Sequence, residues 1–181
     1  RDLVSHLLTY SDNTLAESLA RLVAVEEGAG DDFDAVQEGT TAVLERLGVP
    51  TTGLVLADGS GLSDDDAVPA AALTQLLVEV SGRTGDLSVV DDGLAIAGQT
   101  GTLAEDGRFA EENSDAAGHV RAKSGTLVAM SGIAGIADAA DGSTVAFTIW
   151  AEGVEPGTAT TSARAAVDAL AAEVYRCGLS L

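Results

Sequence analysis

Two short clusters hold the groups with which this chain could do chemistry. Ser11-Asp12-Asn13 offers a hydroxyl, a carboxylate and an amide in succession, and Lys123-Ser124-Gly125-Thr126 offers an ammonium and two hydroxyls around a glycine. Hydroxyl and ammonium groups brought together can relay a proton, and hydroxyls beside a fixed positive charge can hold an anion. Each cluster also has a plain structural reading. Ser, Asp and Asn are favoured helix N-caps, and Ala-Lys-Ser-Gly-Thr reads as a strand with a glycine bulge. Either motif alone is a weak signal.

The surrounding elements decide how the clusters are presented. Leu3, Val4, Leu7 and Leu8 recur at helical spacing before the first cluster, and Leu15, Leu19, Leu22 and Val23 do so after it, so the triplet interrupts two helices. "GAGDD" ends the second helix, and "FDAVQEGTTAVLERLG" reads as a third, closed by Gly48 and Pro50. "TTGLVLADGSGLS" predicts a short apolar strand and a Gly-rich turn, and "VPAAALTQLLVEVSG" a helix with Pro69 in its first turn. "GDLSVVDDGLAIAGQTGTLAEDG" is turn-rich and reads as loop.

Beyond it the period becomes that of strands. Val120 to Leu127, Ser131 to Ala137 and Thr144 to Glu152 form an antiparallel meander, with "AADGS" as a hairpin turn. The second cluster thus sits on the first of these strands. Pro156-Gly157 precedes an Ala-rich helix, "TATTSARAAVDALAAEVYRCG", expected to pack its Ala166, Leu170 and Val174 side on the sheet.

Composition narrows the partners. Of 181 residues, 46% are hydrophobic and 3% aromatic, so a sizeable core is built from aliphatic side chains. A net charge of −20 repels polyphosphate, which speaks against nucleic acid, and it is spread along the chain as a solubilising background. The single cysteine, Cys177, excludes an internal disulfide and reads as a buried, inert thiol. No apolar run is long enough to span a bilayer. His6 and His119 lack metal-spaced partners, Asp64-Asp65-Asp66 lacks the alternation of a calcium loop and reads as a solvated turn, and "GQTGTL" lacks the length and lysine of a phosphate loop. No metal or cofactor is expected.

The paired motifs resemble the penicillin-interacting serine enzymes, whose signatures are S-x-x-K, S-D-N and K-T-G. "LADGSGLS" (56–63), "AGQTGTL" (97–103) and "HVRAKSGTL" (119–127) are similar to segments of the low-molecular-mass class C penicillin-binding proteins, which are D-alanyl-D-alanine carboxypeptidases and endopeptidases. The resemblance runs over nearly the whole chain. It implies an α/β fold of the β-lactamase/transpeptidase type, an antiparallel sheet flanked by helices plus a helical lobe over about residues 1–52. Residues 1–181 would form the C-terminal portion of one such domain.

The same resemblance implies a role for each residue. Ser11 would relay the proton to the leaving nitrogen and Asn13 would hold the substrate amide, while Asp12 turns inward and fixes its loop. Lys123 would order Ser11 and attract the substrate's terminal carboxylate, which the Ser124 and Thr126 hydroxyls bind. Gly125 would admit the substrate backbone to the strand, and the Thr126 N–H would be one oxyanion donor. Peptidoglycan stem peptides and β-lactam antibiotics are the implied ligands, and an extracytoplasmic location follows from that substrate.

Two departures matter. Lys-Ser-Gly replaces Lys-Thr-Gly, which keeps the hydroxyl. More seriously, Lys123 is the only lysine and Val120 stands three residues before it, so the S-x-x-K nucleophile is not in these residues. It is expected upstream of Arg1, in an N-terminal part of the same protein, with this portion inactive alone and exposing an edge and apolar surface. Two other functions stay in play. A class A β-lactamase would need an E-x-x-L-N segment, which "QEGTTAVLERLGVP" does not supply, and a non-catalytic peptidoglycan-binding protein would keep the fold without the nucleophile.

Overall fold

The computed structural model describes residues 1–82, 85–155 and 159–180. Helices α1 (Asp2–Tyr10), α2 (Asn13–Glu26) and α3 (Phe33–Arg46) follow the apolar periodicity of the first third. Both α2 and α3 begin on an aspartate: Asp12 and Asp32 each accept a hydrogen bond at 2.9 Å from the backbone N–H three residues on. Helix α4 (Ala70–Ser81) starts directly after Pro69, whose fixed φ suits that place.

The segment from Gly85 to Gly107 is more regular than the loop its turn-rich sequence suggests. It contains α5 (Ser88–Gly93) and a two-residue strand β1 (Ala95–Ile96), followed by short 3-10 turns. β1 is too short to show alternation in sequence. What stabilises it is its antiparallel pairing with Arg121 and Ala122 on the neighbouring strand. The strand expected after Thr51 is also corrected: only Val55 and Ala67 bridge there. Side chains take its backbone groups instead. Gln37 accepts from the Leu56 N–H at 2.6 Å, Asp66 accepts from Ala57 at 2.6 Å, and Asp58 gathers the N–H groups of Ser60, Gly61 and Ser63.

Strands β2 (Val120–Leu127), β3 (Met130–Asp138) and β4 (Thr144–Glu152) form the meander, giving the sheet order β1-β2-β3-β4. Its second turn closes as expected, with Asp141 accepting from the Ser143 N–H at 2.9 Å. The sheet is covered on both faces. On one, Val120, Ala122, Ile133, Ala137 and Phe147 pack with Val167, Ala171, Ala172 and Val174 of α6 (Arg164–Cys177). On the other, Ala134 and Ile136 pack with Leu77, Val80 and Leu94.

Helix α6 is rotated from the orientation the sequence suggests. Val174 is buried, but Leu170 is 53% exposed and Ala166 also faces out. An Ala-rich helix offers little contrast between its faces, and the buried stripe through Val167, Asp168, Ala171 and Val174 is the one that brings a carboxylate inward. Cys177 is half-buried rather than buried. The Pro156-Gly157 turn and the expected helix start at Thr158 lie outside the described residues. Among those residues no helix is long and apolar enough to cross a membrane.

Candidate active site

Ser11 occupies the junction between α1 and α2 in a left-handed conformation, φ 59° and ψ 50°. For a residue with a Cβ this costs about 1 kcal/mol, so the surroundings must hold it there. They do so from both sides. The Ser11 N–H closes α1 on the Leu7 carbonyl, and Asp12 caps α2. Two residues earlier, Thr9 donates to the Gly93 carbonyl at 2.9 Å, and its own carbonyl lies so close to Gly101 that a Cβ there would collide with it. Gly101 has φ +52°, so both its conformation and its lack of side chain are needed.

This junction brings Ser11 against β2. The Lys123 Nζ donates to Ser11 Oγ at 2.8 Å, joining residues 112 apart in the chain, and also donates to the Ser124 carbonyl. Among the described residues Lys123 forms no ion pair with a carboxylate. Burial therefore acts on it uncompensated, and with the nearby Arg108 charge it lowers the ammonium pKa from 10.5 to about 8. A lysine so placed can both donate and accept a proton near neutral pH.

Ser124 has partners that motif reasoning misses. Thr102 Oγ1 lies 3.1 Å from Ser124 Oγ, and Arg108 Nη1 donates to the same oxygen at 3.0 Å and to the Thr102 carbonyl at 3.1 Å. The rest of the guanidinium grips Asp168 of α6 through Nε at 2.9 Å and Nη2 at 2.5 Å. This ion pair is buried, with side-chain exposures of 5% and 6%. The sequence held one usable sign: an aspartate at 168 between Val167 and Ala171 is a charge on an apolar stripe, and a buried carboxylate requires a cation.

Further along β2, Gly125 and Thr126 are exposed, and a Cβ on Gly125 would meet nothing within 4 Å. β1 pairs only with Arg121 and Ala122, so the β2 edge from Lys123 onward has no strand beside it among the described residues. The structure thus brings Ser11, Lys123 and Ser124 together, with Gly125 and Thr126 continuing the same strand. Asn13 is exposed at the first position of α2, and its amide makes no hydrogen bond among the described residues. His6 and His119 are exposed and stand against Tyr10 and Tyr175.

An antiparallel sheet with helices on both faces, a serine at a helix junction and a lysine on the facing strand define the β-lactamase/transpeptidase-like fold. It aligns with penicillin-binding protein 4 of Haemophilus influenzae, solved with a β-lactam, at a TM-score of 0.85 and 27% identity over 97% of this chain and 41% of that one. The chain belongs to the D-Ala-D-Ala carboxypeptidase 3 (S13) family, whose profile matches residues 1–174. It is 34% identical to carboxypeptidase DacB of Mycolicibacterium smegmatis over 95% of this chain and 36% of that protein. Identity is also 34% to a D-alanyl-D-alanine carboxypeptidase of an Actinomadura species, over 78% of this chain and 26% of that protein. The chain therefore spans between about a quarter and just over a third of the length of these relatives.

Proposed function

We propose that the chain is the C-terminal portion of a transpeptidase-like domain in a serine-type D-Ala-D-Ala carboxypeptidase. The enzyme acts on peptidoglycan stem peptides outside the cytoplasmic membrane, cuts cross-links by the same chemistry, and is acylated by β-lactams. The observation that supports this most is the 2.8 Å hydrogen bond from Lys123 to Ser11, because it unites the two motifs across the fold. Membership of the carboxypeptidase family supports it independently.

In this reading an S-x-x-K serine from a segment outside the 181 residues attacks the substrate carbonyl and the C–N bond breaks. Ser11, ordered by Lys123, passes the proton to the leaving nitrogen, and water later releases the acyl group. Asn13 holds the substrate amide. Ser124 and Thr126 bind the terminal carboxylate, the Thr126 N–H faces the oxyanion, and the substrate backbone lies along the open β2 edge beside Gly125.

The test is a denaturing mass spectrum of the protein with its upstream segment, intact and as a peptide digest, before and after benzylpenicillin. One penicillin mass gained on the upstream segment, and none on residues 1–181, is the expected result. Acylation within residues 1–181 overturns the assignment of the nucleophile, and no acylation at all overturns the enzyme reading.

A further inference from the structure

We propose that Arg108 is a positioning residue for the carboxylate anchor: together with Thr102 it commits the Ser124 hydroxyl to donating its proton outward, to the ligand's carboxylate. The inference rests on the functional reading above and extends it to residues which that reading does not use.

A guanidinium donates and never accepts, so the Arg108 Nη1 contact at 3.0 Å occupies one lone pair of Ser124 Oγ permanently. Between Ser124 and Thr102, 3.1 Å apart, either hydroxyl can be the donor. A carboxylate arriving at Ser124 can only accept. The Ser124 proton then turns to it, and Thr102 donates into the second lone pair. Ser124 becomes a hydroxyl with both acceptor sites filled and one outward donor, held by a guanidinium that Asp168 fixes bidentately. With its side chain 5% exposed, Arg108 acts through Ser124 and not by touching the ligand. Its charge also reaches Lys123, whose ammonium it helps to destabilise.

A packing role for the Arg108–Asp168 pair would affect every ligand alike, whereas a role through Ser124 depends on the ligand's carboxylate. The experiment compares acylation of the protein, with its S-x-x-K segment, by benzylpenicillin and by benzylpenicillin methyl ester. Arg108→Lys and Thr102→Val should each slow the free acid about tenfold and change the ester less than about twofold. In a Ser124→Ala background Thr102→Val should have no further effect. Equal slowing with acid and ester, or effects that persist without Ser124, overturns the proposal. Thr102→Val leaves the ion pair intact and so decides the matter even if Arg108→Lys does not fold. A parent protein that neither compound acylates would fail the functional reading first; an acylated parent whose variants match it fails this inference alone.

Discussion

The two sides of the candidate site, around Ser11 and around Ser124, are built by different physics. Ser11 is held by backbone devices: a left-handed residue closing α1, an aspartate capping α2, and a close approach of the Thr9 carbonyl to Gly101. Ser124 is held by charge, through a buried guanidinium whose partner Asp168 lies 60 residues further along the chain. The first kind of support is divided among separate backbone contacts, so that removing one of them costs about 1–3 kcal/mol. The second is cooperative, since a buried charge without its partner is worse than no charge at all.

The sharpest way to break this comparison is Asp168→Ala, which leaves Arg108 buried and unpaired. It should destabilise the fold by about 3–5 kcal/mol in urea unfolding, while Ser11→Ala leaves the midpoint nearly unchanged. The double variant Arg108→Met/Asp168→Leu should recover most of that stability, because a packed apolar pair of similar volume removes the buried charges altogether. A double variant as unstable as Asp168→Ala would show that the pair's geometry, and not its charge balance, holds the strand.

Lys123 stands between the two regions and gives the next largest effect. Its pKa is about 8 in the fold against 10.5 for a free lysine, so between those values the unfolded chain binds a proton that the folded chain lacks. Stability contributed by this group therefore rises with pH across that window. Below about pH 8 the full cost of burying the ammonium is present, and Lys123→Met should be the more stable protein by about 2–3 kcal/mol. The gap should close by pH 10.5, as followed by melting curves of the two proteins in parallel. A gap independent of pH would mean that the ammonium is not held at a cost.

The same contrast explains what could be read from the sequence. Ser11-Asp12-Asn13 and Lys123-Ser124-Gly125 were legible because each is contiguous, and the helical and strand periods around them place them at a junction and on a strand. The cap and the proton-relay candidate proved to be neighbours in one triplet, with Asp12 capping and Ser11 facing Lys123. Beyond the sign of a charge at 168 on an apolar stripe, the Arg108–Asp168 pair was not legible, because neither residue lies in a motif and their meeting depends on the rotation of α6. That helix is so rich in alanine that its periodicity favoured Ala166 and Leu170, which face solvent. β1 was hidden for a related reason: a two-residue strand owes its existence to the partner it pairs with.

On the helical side, Gly101→Ala is the stronger perturbation. It forces a side chain into a φ of +52° and against the Thr9 carbonyl, for about 1–3 kcal/mol of lost stability, and it should displace the end of α1. In the acylation assay Gly101→Ala should therefore slow both benzylpenicillin and its methyl ester, since it moves the proposed proton relay and not the proposed carboxylate anchor.

Asp12→Ala is the mildest test and the most specific to the local reading. It removes the acceptor that caps the Leu15 N–H but leaves Ser11, its left-handed backbone and its bond to the Leu7 carbonyl in place. The expected loss is about 1 kcal/mol, the ordinary value of an N-cap, and Asp12→Asn or Asp12→Ser should restore most of it. Rescue by both would place Asp12 in the scaffold, because a serine keeps the cap and abolishes the carboxylate. Acylation that falls with stability restored would instead give the Asp12 carboxylate a part in the chemistry, and the helical end would then depend on charge as the strand end does.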